Sequence, residues 1–307
     1  MPQPPRTLYW FLGLGLVAIS SSPILVRFGT EVPALTLATW RTIFACLLLL
    51  PFALPRMREA RTQLSKADWG RMGAAGVLLG VHFYLFFESL YHITVASATV
   101  LISLTPIFLA VLGYIFLRER LSGYIWVAVG LSIVAAMLIG WGAEGDASAV
   151  ASNPALGNSL ALVSCLLVSI YLLIGRVARR ELSWLTYVFP VYTFSALTLL
   201  VLALITETPL LGQTPLIYLL CLGMAVGPQL IGHGSFNYAL KYLPAALLGL
   251  LSLTEPIFAS LIAFGLFQEV PSGMSTTGML VAVGAVVLAL WPAIRAMRGR
   301  KKLSVEV

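Results

Sequence analysis

Ten apolar stretches, each long enough to cross a bilayer as a helix, constrain this chain more than any other feature. They cover residues 8–28, 34–54, 69–92, 94–116, 122–141, 156–175, 184–205, 214–239, 243–267 and 274–294. The stretches show no period-two alternation of apolar and polar residues, which argues against the strands of a membrane barrel. At 59% hydrophobic and 10% charged residues, the chain has too few charges for a soluble domain. The sequence therefore predicts an all-α, polytopic membrane protein of ten transmembrane helices, here called spans one to ten.

The first span resembles a secretory signal, because Arg6 precedes an apolar run and the small residues 20–22 follow it. The apolar run resumes over residues 24–26. Since the internal repeat described below also needs this segment as its first helix, we expect the span to be retained.

The basic residues are distributed unevenly between the two sides of the membrane. With a cytoplasmic amino terminus, all 19 lysines and arginines except Arg27 and Arg41 lie in cytoplasmic segments. The outside segments carry acidic residues instead: Glu31, Glu144, Asp146, Glu207 and Glu269. This positive-inside pattern predicts a protein of a bacterial-type inner membrane with both termini in the cytoplasm. It also accounts for the net charge of +7, and the basic tail after Trp291 is expected to face anionic lipid rather than nucleic acid.

The second half of the sequence repeats the first. At an offset of 149 residues, the repeat matches Arg27 to Arg176, Ala96 to Ala245 and residues 103–105 to residues 252–254. Glu255 is then treated as one inserted residue, after which the offset of 150 matches Pro106 to Pro256, Glu119 to Glu269 and Trp141 to Trp291. A bias toward leucine and alanine does not readily keep proline, glutamate and tryptophan in register.

We expect two domains, residues 1–143 with spans one to five and residues 155–307 with spans six to ten and the basic cytoplasmic tail, joined by an outside linker at residues 144–154. Because five spans is an odd number, the two repeats must have opposite orientations in the membrane. An inverted repeat suits a transporter, since the halves can exchange conformations and so move access to a shared site from one side to the other.

Three motifs carry a resemblance to a known family: Trp40-Arg41, residues 103–108 followed by Glu119, and residues 254–258 followed by Glu269. They resemble the drug/metabolite transporter superfamily, EamA type, over essentially the whole chain. The resemblance implies ten helices in two inverted halves, a central cavity formed by the first four helices of each half, peripheral helices five and ten, and export from the cytoplasm. In size and layout the chain is also similar to the bacterial exporters of aromatic and other amino acids, the YddG type.

Charges inside the membrane are the first candidates for function, because each costs at least a few kcal/mol to bury. Arg41 lies about two turns below the outside end of span two, and Glu88 reaches a comparable depth in span three. We expect an ion pair between them. Two interpretations remain open: a structural clamp between the two helices, or an outside gate that breaks on opening.

Proline interrupts span four at Pro106 and span nine at Pro256, and Glu255 directly precedes the second proline. Interrupted helices at corresponding positions of two repeats indicate a substrate site near the membrane midplane. Glu255 is then expected to bind a substrate amine or to load and release a proton; the alternative is a protonated carboxyl bonded to freed backbone. Four hydroxyls flank the prolines and either line the site or bond to their own helices: Ser103, Thr105, Ser252 and Thr254.

Further polar residues lie on spans that the resemblance places around the cavity: His82, Tyr84, Tyr171, Gln229, His233 and Asn237. With the neighbouring Phe83, Phe86 and Phe87 they would form an aromatic pocket for a small amphipathic solute. The phenylalanines fit lipid contact or core packing equally well. The histidines are expected either to carry protons or to be packed hydrogen-bonding residues, and they do not make a metal site.

Several enzyme motifs are absent from the sequence, among them the nucleotide-binding loop, H-E-x-x-H, G-x-S-x-G and C-x-x-C. We therefore expect a secondary transporter, not an enzyme, that exports small metabolites, in the first place amino acids, by alternating access. The alternatives are an exporter of another metabolite or drug class, a channel, and a membrane-embedded enzyme using His82 or His233 with Glu88 or Glu255. The expected partners are a small-molecule substrate and the lipid bilayer, without nucleic acid, metal or cofactor. Proton coupling and the oligomeric state are left open, and a monomer is sufficient.

Overall fold

A computed structural model describes residues 3–60, 62–119, 121–143, 153–267 and 272–303, and this part of the chain contains helices and no strand. The helices are α1 (Arg6–Ser20), α2 (Ser22–Arg27), α3 (Ala34–Ala60), α4 (Lys66–Ser89), α5 (Val95–Ile102), α6 (Thr105–Leu117), α7 (Gly123–Ala143), α8 (Pro154–Ala178), α9 (Trp184–Ile205), α10 (Pro215–Met224), a π-helical stretch (Ala225–His233), α11 (Gly234–Ala239), α12 (Ala245–Ser252), α13 (Glu255–Phe267) and α14 (Gly273–Leu303).

The predicted spans coincide with these helices. Within the described residues, nine helical segments are long and apolar enough to cross a membrane, and span five is a shorter apolar segment, Gly123–Ile139. Spans one, four and nine each consist of two helices, α1 with α2, α5 with α6, and α12 with α13. Span eight consists of α10, the π-helical stretch and α11. The predicted all-α polytopic fold is confirmed.

Hydroxyl side chains cap the first turns of several helices and set where the spans begin. The Ser65 hydroxyl accepts a hydrogen bond from the backbone N–H of Asp68 at 3.1 Å, and the Asp68 carboxylate accepts one from the backbone N–H of Ser65. Thr94, Ser183 and Thr214 cap α5, α9 and α10 through their side-chain oxygens. Each cap satisfies a backbone donor that has no partner inside its own helix.

Spans four and nine are interrupted at matching places. The helix stops after Ile102 and resumes at Thr105, and it stops after Ser252 and resumes at Glu255. The proline of each span is the second residue of the resumed helix, where its missing N–H is not needed. The break therefore lies just before each proline, near the middle of the span.

The helix bounds place the inserted residue of the second repeat elsewhere than at Glu255. The starts of α5 and α12, of α6 and α13, and of α7 and α14 are all 150 residues apart, so Glu255 occupies the position of Thr105. The starts of α4 and α10 are 149 apart, whereas the ends of α4 and α11 are 150 apart. The extra residue therefore lies in span eight, where the wider π-helical turns of Ala225–His233 accommodate it. The interpretation of Glu255 as an insertion is wrong.

Close backbone contacts hold the bundle together. Spans five and ten pack against each other, and a methyl group at Gly278 would lie 2.8 Å from the backbone nitrogen of Ile139. In the centre, α12 crosses the start of α6, where a methyl group at Gly249 would lie 2.9 Å from the Cα of Pro106. The interruptions of the two repeats therefore meet in the middle of the bundle.

Candidate functional site

A small cavity lies where the two interrupted spans meet. Spans one, two, three, four, six, eight and nine contribute to its wall. The cavity has a volume of about 50 Å³, enough for a few water molecules. Small-molecule sites typically have about 300–1,000 Å³. The helices must therefore separate before this cavity can hold a metabolite.

The predicted site residues divide into two groups. Those on the cavity wall are Arg41, His82, Thr105, His233, Ser252 and Glu255. Those elsewhere are Ser103, Tyr171, Gln229 and Asn237, which are buried between helices, and Tyr84 and Thr254, which are half-buried. The cavity thus gathers one cation, one carboxyl group, two imidazoles and few hydroxyls.

Arg41 is held at the cavity by polar and aromatic contacts. Its side chain is 1% exposed. Nε donates to Gln229 Oε1 at 3.0 Å and Nη1 donates to the Ser22 hydroxyl at 3.4 Å. The guanidinium lies over the Phe83 ring, 4.1 Å from its centroid, and 5.2 Å from that of Phe87. Among the described residues, Nη2 has no hydrogen-bond partner.

Glu88 does not pair with Arg41, so the predicted ion pair is wrong for this conformation. The Glu88 carboxylate lies 3.4 Å from Nε2 of His92, and its side chain is 30% exposed. Because Phe83 and Phe87 direct one face of α4 toward Arg41, the next residue, Glu88, points about 100° away around the helix. His92 lies in the turn that follows the end of α4, where it comes within reach of the Glu88 carboxylate.

Glu255 stands apart from the hydroxyls around it. The residue is 5% exposed and lines the cavity, and no hydrogen bond or ion pair joins its carboxyl group to any described residue. The flanking hydroxyls all donate to carbonyls of their own spans: Ser103 to Thr99, Thr105 to Ile102, Ser252 to Gly249 and Thr254 to Leu251. These hydroxyls therefore repair the interrupted backbone, and the carboxyl group of Glu255 is the unpaired polar group at the breaks in the described part of the chain.

The two histidines face each other across the cavity. Nδ1 of His82 lies 3.0 Å from the Ser164 carbonyl oxygen and 2.7 Å from the Ser164 hydroxyl, so span six fixes the orientation of this ring. The ring centroids of His82 and His233 are 6.1 Å apart, and the rings of Phe83 and His233 form a T-shaped pair with centroids 5.0 Å apart. The described residues contain no group of three or more potential metal ligands.

The wall of the cavity is pseudo-symmetric. In spans three, four, eight and nine, four pairs of lining residues are related by the offset of 150: Phe83 with His233, Phe86 with Phe236, Ile102 with Ser252, and Thr105 with Glu255. In three of these pairs the second repeat contributes the more polar residue. The cavity is therefore shared between the repeats: the first contributes Arg41 and His82 to its wall, and the second contributes His233 and Glu255.

A second polar cluster, here called the span-six clasp, joins the ends of spans four, six and eight. Nε of Arg176 lies 3.4 Å from a carboxylate oxygen of Glu119, and its Nη1 donates to the Leu240 carbonyl at 2.6 Å. Arg179 donates to the Asn237 carbonyl at 3.0 Å. Burial lowers the pKa of the Arg179 guanidinium, which lies just beyond α8. Among the described residues, the pair of Glu119 and Arg176 is the salt bridge that connects the two repeats.

Sequence reasoning missed this clasp. The sequence shows Arg176 in register with Arg27 and Glu119 in register with Glu269, and this recurrence was the available signal. It does not indicate that Glu119 and Arg176 lie together, because they come from different repeats. Glu269 lies outside the described residues.

Comparison with known proteins identifies related transporters. The profile of the EamA-like transporter family matches residues 6–141 and 155–291. An uncharacterized transporter of Clostridium kluyveri is 23% identical over 231 residues, 74% of each chain. The pseudopaline exporter CntI of Pseudomonas aeruginosa is 22% identical over 264 residues, which covers 85% of this chain and 88% of that protein.

A solved crystal structure has the same fold. It aligns with a TM-score of 0.73 at 19% sequence identity, over 95% of this chain and 99% of the other. At this identity the likeness concerns the fold alone.

Proposed function

The chain belongs to the EamA-like transporter family, and from this premise we propose that it exports amino acids with aromatic or other apolar side chains across the inner membrane. In the proposed topology both termini are cytoplasmic and the two repeats have opposite orientations. Transport proceeds by alternating access, in which the central cavity opens to the cytoplasm and then to the outside.

The observation that carries this proposal is the cavity between the interrupted spans, to which both repeats contribute equivalent residues. A site that belongs to both repeats can be exposed to either side when the halves exchange conformations. Its walls combine phenylalanine rings with a cation and a carboxyl group. This composition suits a small solute that has an apolar side chain and both an ammonium and a carboxylate group.

The closed volume and the span-six clasp fit one step of such a cycle. The proposed topology places the clasp at the cytoplasmic end of spans four, six and eight. With the clasp formed and only a few waters' room inside, this conformation is one in which the cytoplasmic side is shut. The interruptions before Pro106 and Pro256 supply points where the spans can bend without breaking a continuous helix.

A second candidate substrate comes from the relatives. CntI is named as a pseudopaline exporter and is similar to this chain over most of its length. Pseudopaline therefore belongs in any substrate screen beside amino acids.

Counterflow into proteoliposomes tests the proposal. Labelled amino acids, pseudopaline, nucleosides and cationic drugs are offered to the purified, reconstituted protein, and we expect uptake of apolar amino acids. Uptake restricted to nucleosides or drugs would show that the protein is a transporter but does not export amino acids.

A matched pair of variants in α8 tests whether the cavity is the transport site. Val168 lines the cavity, whereas Val163 is 47% exposed on the same helix. Val168→Phe is expected to abolish counterflow because the added ring fills the small cavity, and Val163→Phe is expected to leave it unchanged. Normal transport by folded Val168→Phe protein would show that the substrate passes elsewhere.

A further inference from the structure

We infer that the cavity recognises both charged groups of a zwitterion, with Glu255 holding its ammonium group and the guanidinium of Arg41 holding its carboxylate. The inference rests on the proposed function and names the residues that select the substrate. The ligand of this chemistry is a free α-amino acid with an apolar side chain.

The carboxylate end of the site consists of hydrogen-bond donors. Nη2 of Arg41 and the amide nitrogen of Gln229 are buried and have no partner among the described residues. The two side chains are joined, because Arg41 Nε donates to Gln229 Oε1 at 3.0 Å. Buried donors normally have an acceptor, and a carboxylate accepts from arginine with favourable geometry. Nη2 of Arg41, which lines the cavity, therefore fits the carboxylate of a ligand, while Gln229 behind it holds the guanidinium in place.

The ammonium end is the carboxyl group of Glu255. It lines the same cavity as Arg41, yet the two residues form no ion pair within the described part of the chain. The neighbouring hydroxyls of Thr105 and Ser252 already donate to their own spans. The ionised form of Glu255 has no cationic partner among the described residues, and the ammonium group of a ligand would supply one.

The pseudo-symmetry shows that the break in span nine does not need a carboxyl group. Thr105 occupies the equivalent position in span four, where the helix stops and resumes at the same points with no charge present. Glu255 is therefore an addition to the common architecture rather than a part of it. This separates the ligand role of Glu255 from a role in repairing the backbone.

The two ends together select against ligands with a single charge. A ligand that lacks the ammonium leaves Glu255 unpaired, and one that lacks the carboxylate leaves the donors of Arg41 unpaired. A site whose buried polar groups are left without partners binds such a ligand far more weakly. Phe83, Phe86 and Phe236 provide the apolar surface for the side chain.

Equilibrium binding to the purified full-length protein in detergent tests the inference separately from transport. Three labelled probes share one ring: phenylalanine with both charges, 3-phenylpropionate with only the carboxylate, and phenethylamine with only the ammonium. The wild-type protein is expected to bind phenylalanine at least about tenfold more tightly than either of the others.

Glu255→Thr installs the residue that the first repeat carries at the equivalent position, so the variant is expected to fold. Its affinity for phenylalanine and phenethylamine should fall about tenfold or more, while that for 3-phenylpropionate stays level or rises, because no carboxyl group remains to repel it. Glu255→Gln keeps the size of the side chain and should change the three affinities in the same directions. Glu181→Thr, at an exposed position, is the matched control and should leave all three affinities unchanged.

Several results overturn the inference. The inference is wrong if the wild-type protein binds none of the three probes, or binds all three with the same affinity. It is also wrong if the Glu255 variants lose affinity for all probes equally or for none of them. A Glu255→Gln variant that binds phenylalanine normally but loses stimulation by a pH gradient assigns the carboxyl group to a proton instead. Intact binding selectivity without counterflow would count against the proposed export and leave the recognition of a zwitterion standing.

Discussion

Replacing Glu119 by glutamine is expected to loosen the span-six clasp and open the cavity toward the cytoplasm. The change removes the charge that faces Arg176, whose side chain is 2% exposed. A hydrogen bond to a charged group contributes about 1.5–3 kcal/mol. We take the lower end, because the contact with Glu119 is 3.4 Å long and Arg176 keeps its 2.6 Å bond to the Leu240 carbonyl. About 1.5 kcal/mol corresponds to roughly a tenfold shift toward the unclasped state.

Accessibility of a cysteine in the cavity measures this shift. Ser252→Cys places a thiol on the cavity wall, and inside-out vesicles expose the cytoplasmic side to a membrane-impermeant maleimide. The same vesicles without Ser252→Cys give the background from Cys46, Cys165 and Cys221. Adding Glu119→Gln should raise the labelling rate of the new thiol about tenfold. Glu181→Gln, an exposed carboxylate lost near the same end of span six, should not change it.

Equal labelling rates with and without Glu119→Gln would refute the reasoning, provided that both proteins elute as folded monodisperse species. That result would mean that Glu119 and Arg176 are a structural contact in every state of the cycle. Faster labelling from the outside face instead of the cytoplasmic face would show that the proposed topology is reversed.

Three further predictions concern stability and coupling. Arg41→Ala should lower the folded yield, by a destabilisation of about 3 kcal/mol, because it leaves buried polar partners unpaired. Size-exclusion chromatography against the exposed Arg58→Ala checks this, and a well-folded inactive protein would show that Arg41 acts on the substrate and is not needed for the fold. Gly278→Ala should lower the free energy of unfolding by about 1–3 kcal/mol, and with it the melting temperature, because the methyl group forces spans five and ten apart. Gly284→Ala in the same helix adds a methyl group with no atom within 4 Å, so it should leave the melting temperature unchanged. Since Glu255 is assigned to the substrate, counterflow of phenylalanine should proceed at equal rates with and without a pH gradient; a faster rate with the gradient would indicate proton coupling.

Much of the fold follows from local properties of the sequence. The spans could be predicted because crossing a bilayer requires a run of apolar residues and an internally bonded backbone, whatever the neighbouring helices are. The breaks at Pro106 and Pro256 could be predicted because these prolines recur in register in the two repeats; a proline alone does not break a span, since α3 continues through Pro51 and α9 through Pro190. The repeat was visible because Pro106, Glu119 and Trp141 recur in register.

Only the tertiary structure decided which groups meet. Arg41 bonds to Gln229, 188 residues away, and Glu119 reaches Arg176 across the two repeats. Depth in the membrane suggested Glu88 as the partner of Arg41, but the rotation of Glu88 around its own helix directs it to His92. The equivalence of Glu255 and Thr105 likewise became clear only when the π-helical turns of span eight were seen to hold the extra residue. Hydropathy and spacing describe each helix alone, whereas side-chain partners depend on how the helices are rotated and packed against one another.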